Sequence, residues 1–193
     1  MNDIYLYDVP VLKNKLNIKD AKELEKAESD ITFIKLADID RAIDSELFDY
    51  MRLLNIHKYI FSDIYDWAGM TRLIPIVKRE RILGGDTVRY SEPDTIKREC
   101  IKVIAKLNEI DWTSLSIDET AELWQVHPFR EGNTRSVVIF ATQFASAHSF
   151  TMDKILLKES AAYVRDAFVK ACDGQYSEYQ YLIKVFKNAI IRG

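Results

Sequence analysis

The sequence predicts a mostly α fold: a single helical bundle domain over 1–193 with one small β-hairpin. Three observations point there. Four prolines and six glycines are all that punctuate 193 residues, and a shortage of breakers favours helices. Apolar residues recur at helical spacing along most of the chain. One stretch, 73–90, departs from that period with two short β-prone runs. The length fits one domain able to bury a core without disulfides or metals.

The elements follow in order. From Asp20 to Asp38, Ala21, Leu24, Ala27, Ile31, Ile34 and Ala37 predict an amphipathic helix in an N-terminal segment, 1–40. Asp44 or Ser45 is the expected cap of a second helix with the stripe Leu47, Met51, Leu54, Phe61 and Ile64, ended by Trp67-Ala-Gly69. Leu73–Val77 and Thr87–Tyr90, around a charged stretch and Gly84-Gly85-Asp86, read as a hairpin with a long tip. Helical spacing returns with Ile96, Cys100, Val103, Ile104 and Leu107, with Pro93 in the first turn. Ser116-Ile-Asp-Glu119 has the form of a capping box for a helix running toward His127. Val137, Phe140, Ala141, Phe144 and Ala145 mark the next helix, and two more follow over 159–171 and 176–191.

Composition narrows the function. Apolar residues at 48% and charged residues at 30% describe an ordinary globular protein. A net charge of −3 argues against a nucleic-acid surface, which needs a basic face to release counterions. Cys100 and Cys172 match no metal spacing, and Cys100 lies in an apolar stripe, so a buried free thiol in a reducing compartment is expected. The N-terminus has neither a basic region nor a long apolar run. No signal peptide or membrane span is expected, and the expected location is the cytoplasm.

The chemistry concentrates in His127-Pro-Phe-Arg-Glu131-Gly-Asn-Thr-Arg135. The first amides of the helix that follows have no partner within it, and its macrodipole is positive there. Gly132 lets backbone approach a ligand, so Gly132, Asn133 and Thr134 form a plausible anion cradle. Asn133 is expected to cap the helix or touch phosphate, and Arg135 offers a fork matched to phosphate oxygens. Glu131 would repel a bare phosphate, and Mg²⁺ held by one carboxylate plus phosphates and waters resolves the conflict. His127, with an ordinary pKa of about 6.5, suits a general base. Pro128 and Phe129 read as scaffold.

These residues resemble the active-site signature of the Fic family, His-x-Phe-x-(Asp/Glu)-Gly-Asn-Gly-Arg-x-x-Arg. The run Asn55–Arg72, with Trp67-Ala-Gly69, is similar to the segment before the Fic hairpin, and there His57 reads as packed or hydrogen-bonded. Tyr5–Tyr7, Val11–Ile18 and Ala162–Phe168 also resemble Fic segments. The resemblance implies one Fic domain over 1–193, with a core at 41–193, a flap at 73–90 and an active-site loop at 127–135. It implies a Mg²⁺-dependent protein adenylyltransferase of toxin type that uses ATP: Glu131 holds the metal and His127 takes the proton of a target Ser, Thr or Tyr hydroxyl. The target protein would pair with the flap edge, and Lys78 aligns with a lysine seen in many relatives' flaps.

Two positions depart from the pattern. Thr134 replaces Gly; a β-branched residue fits there in a helical turn, with its hydroxyl near phosphate. Relatives of the Doc type alter the same position to Lys and transfer phosphate instead of AMP. Val138 replaces the second Arg, which predicts a weaker triphosphate grip unless Arg130 or Arg165 reaches in. Phosphoryl or other nucleotidyl transfer, and a weakened nucleotide- or partner-binding module, are the alternatives. The Ser/Thr-x-x-x-Glu inhibitory motif of many Fic proteins is matched only by Thr95–Glu99, in the wrong region. A separate antitoxin-like protein is one route to inhibition.

Overall fold

Asp20 caps the first helix, α1 (Ala21–Ala42), its carboxylate accepting from the Lys22 and Glu23 amides. The structure, a computed structural model, describes residues 3–43, 47–109 and 118–191. α2 (Tyr50–Phe61) is capped by Asp49, which accepts from the Arg52 amide. Asp44 and Ser45, the expected caps, lie outside the described residues, as does Ser116 of the expected capping box. α3 (Ile96–Glu109), α4 (Asp118–Val126) and α5 (Asn133–Ala147) complete the half that carries the signature. After them come α6 (Lys154–Glu159), α7 (Ala161–Ala171) and α8 (Gln180–Ala189). The fold is mostly helical, as expected.

The buried faces sort the predicted stripes. All five predicted residues of α3 are buried, as are Val137, Phe140, Phe144 and Ala145 of α5. α1 and α2 match expectation in part, with Leu24, Phe61 and Ile64 buried as predicted. Ile34, Leu47 and Met51 are exposed, while Leu24, Thr32 and Ile39 of α1 and Arg52, Leu53, Ile56 and His57 of α2 are buried. The cause is polar: Thr32 meets Arg135 of α5, and Arg52 donates to Gln143 of α5 at 2.9 Å. A stripe counted on apolar residues alone misses such a face. α2 also ends at Phe61, before Trp67-Ala-Gly69.

The flap folds back at Gly84–Gly85 as predicted, where Gly84 takes φ +66° after a short 3₁₀ turn, Arg81–Leu83. Its arms are extended but carry no ladder. Side chains do the joining instead: Arg72 donates to the Ile74 carbonyl and to the Ser91 carbonyl, on opposite arms. The Lys78 amide donates to the Thr87 hydroxyl at 3.3 Å. The paired strands lie elsewhere, β1 (Thr151–Met152) against β2 (Ile190–Ile191), antiparallel.

Both cysteines are free and buried, and burial pushes their thiols up to about 12. Among the described residues no helix is long and apolar enough to cross a membrane.

Candidate active site

α4 ends into His127, which adopts φ +51°. That left-handed conformation costs a non-glycine residue about 1–3 kcal/mol and needs surroundings that enforce it. Three contacts do so. The His127 amide donates to the Trp124 carbonyl at 3.0 Å. Nε of the buried Arg72 donates to the His127 carbonyl at 2.8 Å. Nδ1 lies 3.3 Å from the Trp124 carbonyl. A carbonyl only accepts, so Nδ1 carries the proton and Nε2 carries the lone pair. Nε2 is buried and has no hydrogen-bond partner. Burial, then the charge of Lys78, hold the ring well below its ordinary pKa, so it is neutral. The result is a pre-formed acceptor with nothing to accept from, a rare feature in a packed interior.

The loop behind it is tied down at several points. The Asn133 side chain accepts from the Phe129 amide at 2.8 Å and donates to the Phe129 carbonyl at 2.7 Å. Asn133 therefore staples the loop and is not the cap of α5, which is Gly132. His57 accepts from the Gly69 amide at Nδ1 (2.8 Å), which leaves Nε2–H to donate to the Glu131 carbonyl at 3.0 Å. Its ring stacks on Phe129 at 3.7 Å, and burial lowers its pKa to about 3. It is the packed, hydrogen-bonded histidine that the sequence predicted. Gly132 caps α5 with φ +80° and no side-chain hydrogen bond. A Cβ there would lie 2.3 Å from the Phe61 ring, so only glycine fits.

Glu131 places one carboxylate oxygen 3.0 Å from the Gly132 amide and the other 3.2 Å from Lys78 of the flap. Burial raises its pKa, but Lys78, that amide and Arg135 outweigh burial and hold it below the usual range. An ionised carboxylate thus sits at the start of a helix whose first amides have no side-chain cap.

Thr134 is helical, as expected, but its hydroxyl accepts from the Trp124 indole at 2.9 Å. It satisfies a buried N–H. Arg135 lies over Phe61 and pairs with Glu28 and with Thr32 of α1, its Nη1 3.0 Å from the Thr32 hydroxyl. Glu28 also accepts from Tyr65. Val138 packs against the core. Neither Arg130 nor Arg165 takes the place of the missing arginine: Arg130 pairs with Asp3 at 2.7 Å and Arg165 with Glu80 at 2.7 Å. The structure therefore joins Glu131 and Gly132 at the amide end of α5, sets His127 at the other end of the same loop, and engages the Asn133, Thr134 and Arg135 side chains in contacts within the protein. Sequence reasoning missed Glu28, Glu80 and Tyr90, whose partners lie far along the chain.

Comparisons with known proteins give the family. The family model described as Fic/DOC matches residues 47–145. The chain is 32% identical over 149 residues to protein adenylyltransferase VbhT of Bartonella schoenbuchensis, over 74% of this chain and 30% of VbhT. It is 28% identical over 174 residues to the probable protein adenylyltransferase y4lH of Sinorhizobium fredii, over 85% of this chain and 84% of y4lH. The chain thus spans less than a third of VbhT's length. Its fold is similar to that of BepC, a VirB-translocated effector of Bartonella tribocorum solved with bound AMPPNP, with a TM-score of 0.78 at 24% identity over 98% of this chain and 97% of that one. The family match takes in over half of the chain and holds the whole signature, and this chain belongs to the Fic/DOC family.

Proposed function

We propose that this chain is a protein adenylyltransferase that moves AMP from ATP to a hydroxyl side chain of a target protein. The observation that carries the reading is the neutral, unpartnered Nε2 of His127 in the loop that leads into α5, whose first amides have no side-chain cap. That nitrogen takes the hydroxyl proton as the oxygen attacks the α-phosphorus and pyrophosphate leaves. A positioned base contributes roughly 10²–10⁴-fold. The α5 amides and macrodipole hold phosphate oxygens and stabilise the charge that develops on them. Arg135 joins them once it exchanges Glu28 for phosphate. The names of VbhT and y4lH support this activity, and the AMPPNP bound by BepC supports ATP as the nucleotide.

The residues fit Mg²⁺. Glu131 is an ionised carboxylate already facing a cation. Mg²⁺ binds through one or two carboxylates plus substrate phosphates and waters, a role one ionised carboxylate can fill. Bound there, Mg²⁺ would supply charge neutralisation on the phosphates.

The target is read as an extended segment along the flap. Residues 73, 75, 77 and 79 face outward while 74, 76, 78 and 80 face in, and Leu73 and Val77 are exposed. An extended arm with an outward apolar face and no ladder suits strand addition.

The test is transfer from labelled ATP and Mg²⁺ in a cell lysate, comparing wild type with His127→Ala. The reading expects label on discrete proteins with wild type only, and adenosine monophosphate on the modified peptide by mass spectrometry. Equal label with both proteins, or phosphate alone on the peptide, overturns it.

A further inference from the structure

The tip of the flap is fixed to α7 by one contact of unusual quality. Glu80 is buried at 1% exposure. Its carboxylate receives two bonds from the Arg165 guanidinium, at 2.7 and 2.8 Å, in a bidentate fork. Glu80 is also where the flap closes on itself: its amide donates to the Asp86 carbonyl at 2.8 Å, and its carbonyl accepts from Gly85 at 3.0 Å. A second pair beside it, Arg81 with Asp166 at 3.0 Å, is largely exposed at Arg81 and adds little.

Three paths lead from this point to the reacting groups. The Tyr90 hydroxyl donates to Glu80 at 3.3 Å, and the Tyr90 ring lies against the His127 ring, centroids 4.1 Å apart. Two residues before Glu80, Lys78 reaches Glu131. At the flap's base, Arg72 joins the Ser91 carbonyl to the His127 carbonyl. Among the described residues, Tyr90 and Trp124 are the two aromatic rings against which the His127 ring is aimed.

We propose that Arg165 is a positioning residue: through Glu80 it sets the depth of the flap, and through Tyr90 it holds the His127 imidazole on the acceptor hydroxyl. The inference rests on the transfer reaction proposed above. Arg165 lies outside the matched 47–145 span and Glu80 inside it, so one half of the latch is supplied by the chain beyond the signature.

Arg165→Met removes the guanidinium and keeps the stem. Arg165→Lys keeps a charge without the fork. Glu80→Gln with Arg165→Met removes both charges, so no buried carboxylate is left unpaired if the single variant fails to fold. Steady-state transfer and hydrogen exchange of the flap amides from Lys78 to Tyr90 are the readouts. Arg165→Met is expected to lower kcat roughly 10–100-fold, as a small misplacement of a reacting group does, with KM for ATP unchanged. Flap amides lose protection, and Arg165→Lys recovers part of kcat. Wild-type kcat and wild-type flap protection in Arg165→Met overturn the inference. So does a loss of rate that only tracks a loss of folded protein in all three variants. If wild type transfers nothing, the proposed function fails, and hydrogen exchange still decides whether the latch holds the flap.

Discussion

The signature loop and the flap face each other across the candidate site and are built in opposite ways. Between His127 and Asn133 almost every polar group is spoken for: Arg72, Trp124, His57 and the Asn133–Phe129 staple fix the backbone from several directions. The flap has extended arms without a ladder and is held at Arg72, Lys78, Thr87 and Glu80. The contrast separates two jobs. Proton transfer and phosphate binding need donors and acceptors fixed before the ligand arrives; a surface that accepts an incoming chain needs backbone groups left free.

The largest expected effect is at the base. His127→Ala should lower kcat by roughly 10²–10⁴-fold while the protein stays folded at the assay temperature, at a cost of about 2–4 kcal/mol for the lost packing of the buried ring on Tyr90 and Trp124. A matching collapse of stability would make the ring a structural element instead.

Gly132→Ala attacks the rigid side directly. A Cβ 2.3 Å from the Phe61 ring at φ +80° forces both backbone and packing to move. Chemical denaturation should show a loss of about 2–4 kcal/mol, from overpacking and from strain at positive φ. A cost near zero would mean that the loop is less constrained than its contacts imply.

Acid should also act on the loop. His57 has a folded pKa of about 3, below its ordinary 6.5. Its contribution to stability is therefore complete above pH 6.5 and is lost as pH falls from there toward 3, because the unfolded chain gains a proton that the fold refuses. The slope is up to about 1.4 kcal/mol per pH unit. Urea titrations across that range should show it, with a shallower slope in His57→Gln; an unchanged slope would remove His57 from the account.

The flap should be tolerant by comparison. Lys78→Met breaks an ion pair only 21% and 35% exposed and should cost about 1–2 kcal/mol. Smallest in stability are Leu73→Ser and Val77→Ser, both outward, expected within about 0.5 kcal/mol of wild type. Labelling of the target should nonetheless fall with them, and unchanged labelling would move target docking elsewhere.

How much of this was legible in the sequence follows the same division. α3 announced itself because its buried face is wholly apolar. The stripes of α1 and α2 were right only in part, because Glu28, Thr32, Arg52 and His57 turn inward to polar partners and an apolar count is blind to them. The flap's β-prone runs are extended, yet Arg72 stands between its arms and takes carbonyls that a ladder would use. The chemistry of the signature was readable at His127, Glu131 and Gly132. The side-chain partners of Asn133, Thr134 and Arg135 were not, although a buried tryptophan ten residues before a threonine hints at the Trp124–Thr134 bond. Glu80 and Arg165 lie 85 residues apart, and nothing local joins them.

The central claim is that His127 presents a bare, neutral Nε2 to the acceptor hydroxyl. Nitrogen NMR of the labelled imidazole at neutral pH tests it without knowledge of the target. The account predicts a ring protonated at Nδ1 and unprotonated at Nε2. A ring carrying its proton on Nε2, or a doubly protonated ring at that pH, would contradict it.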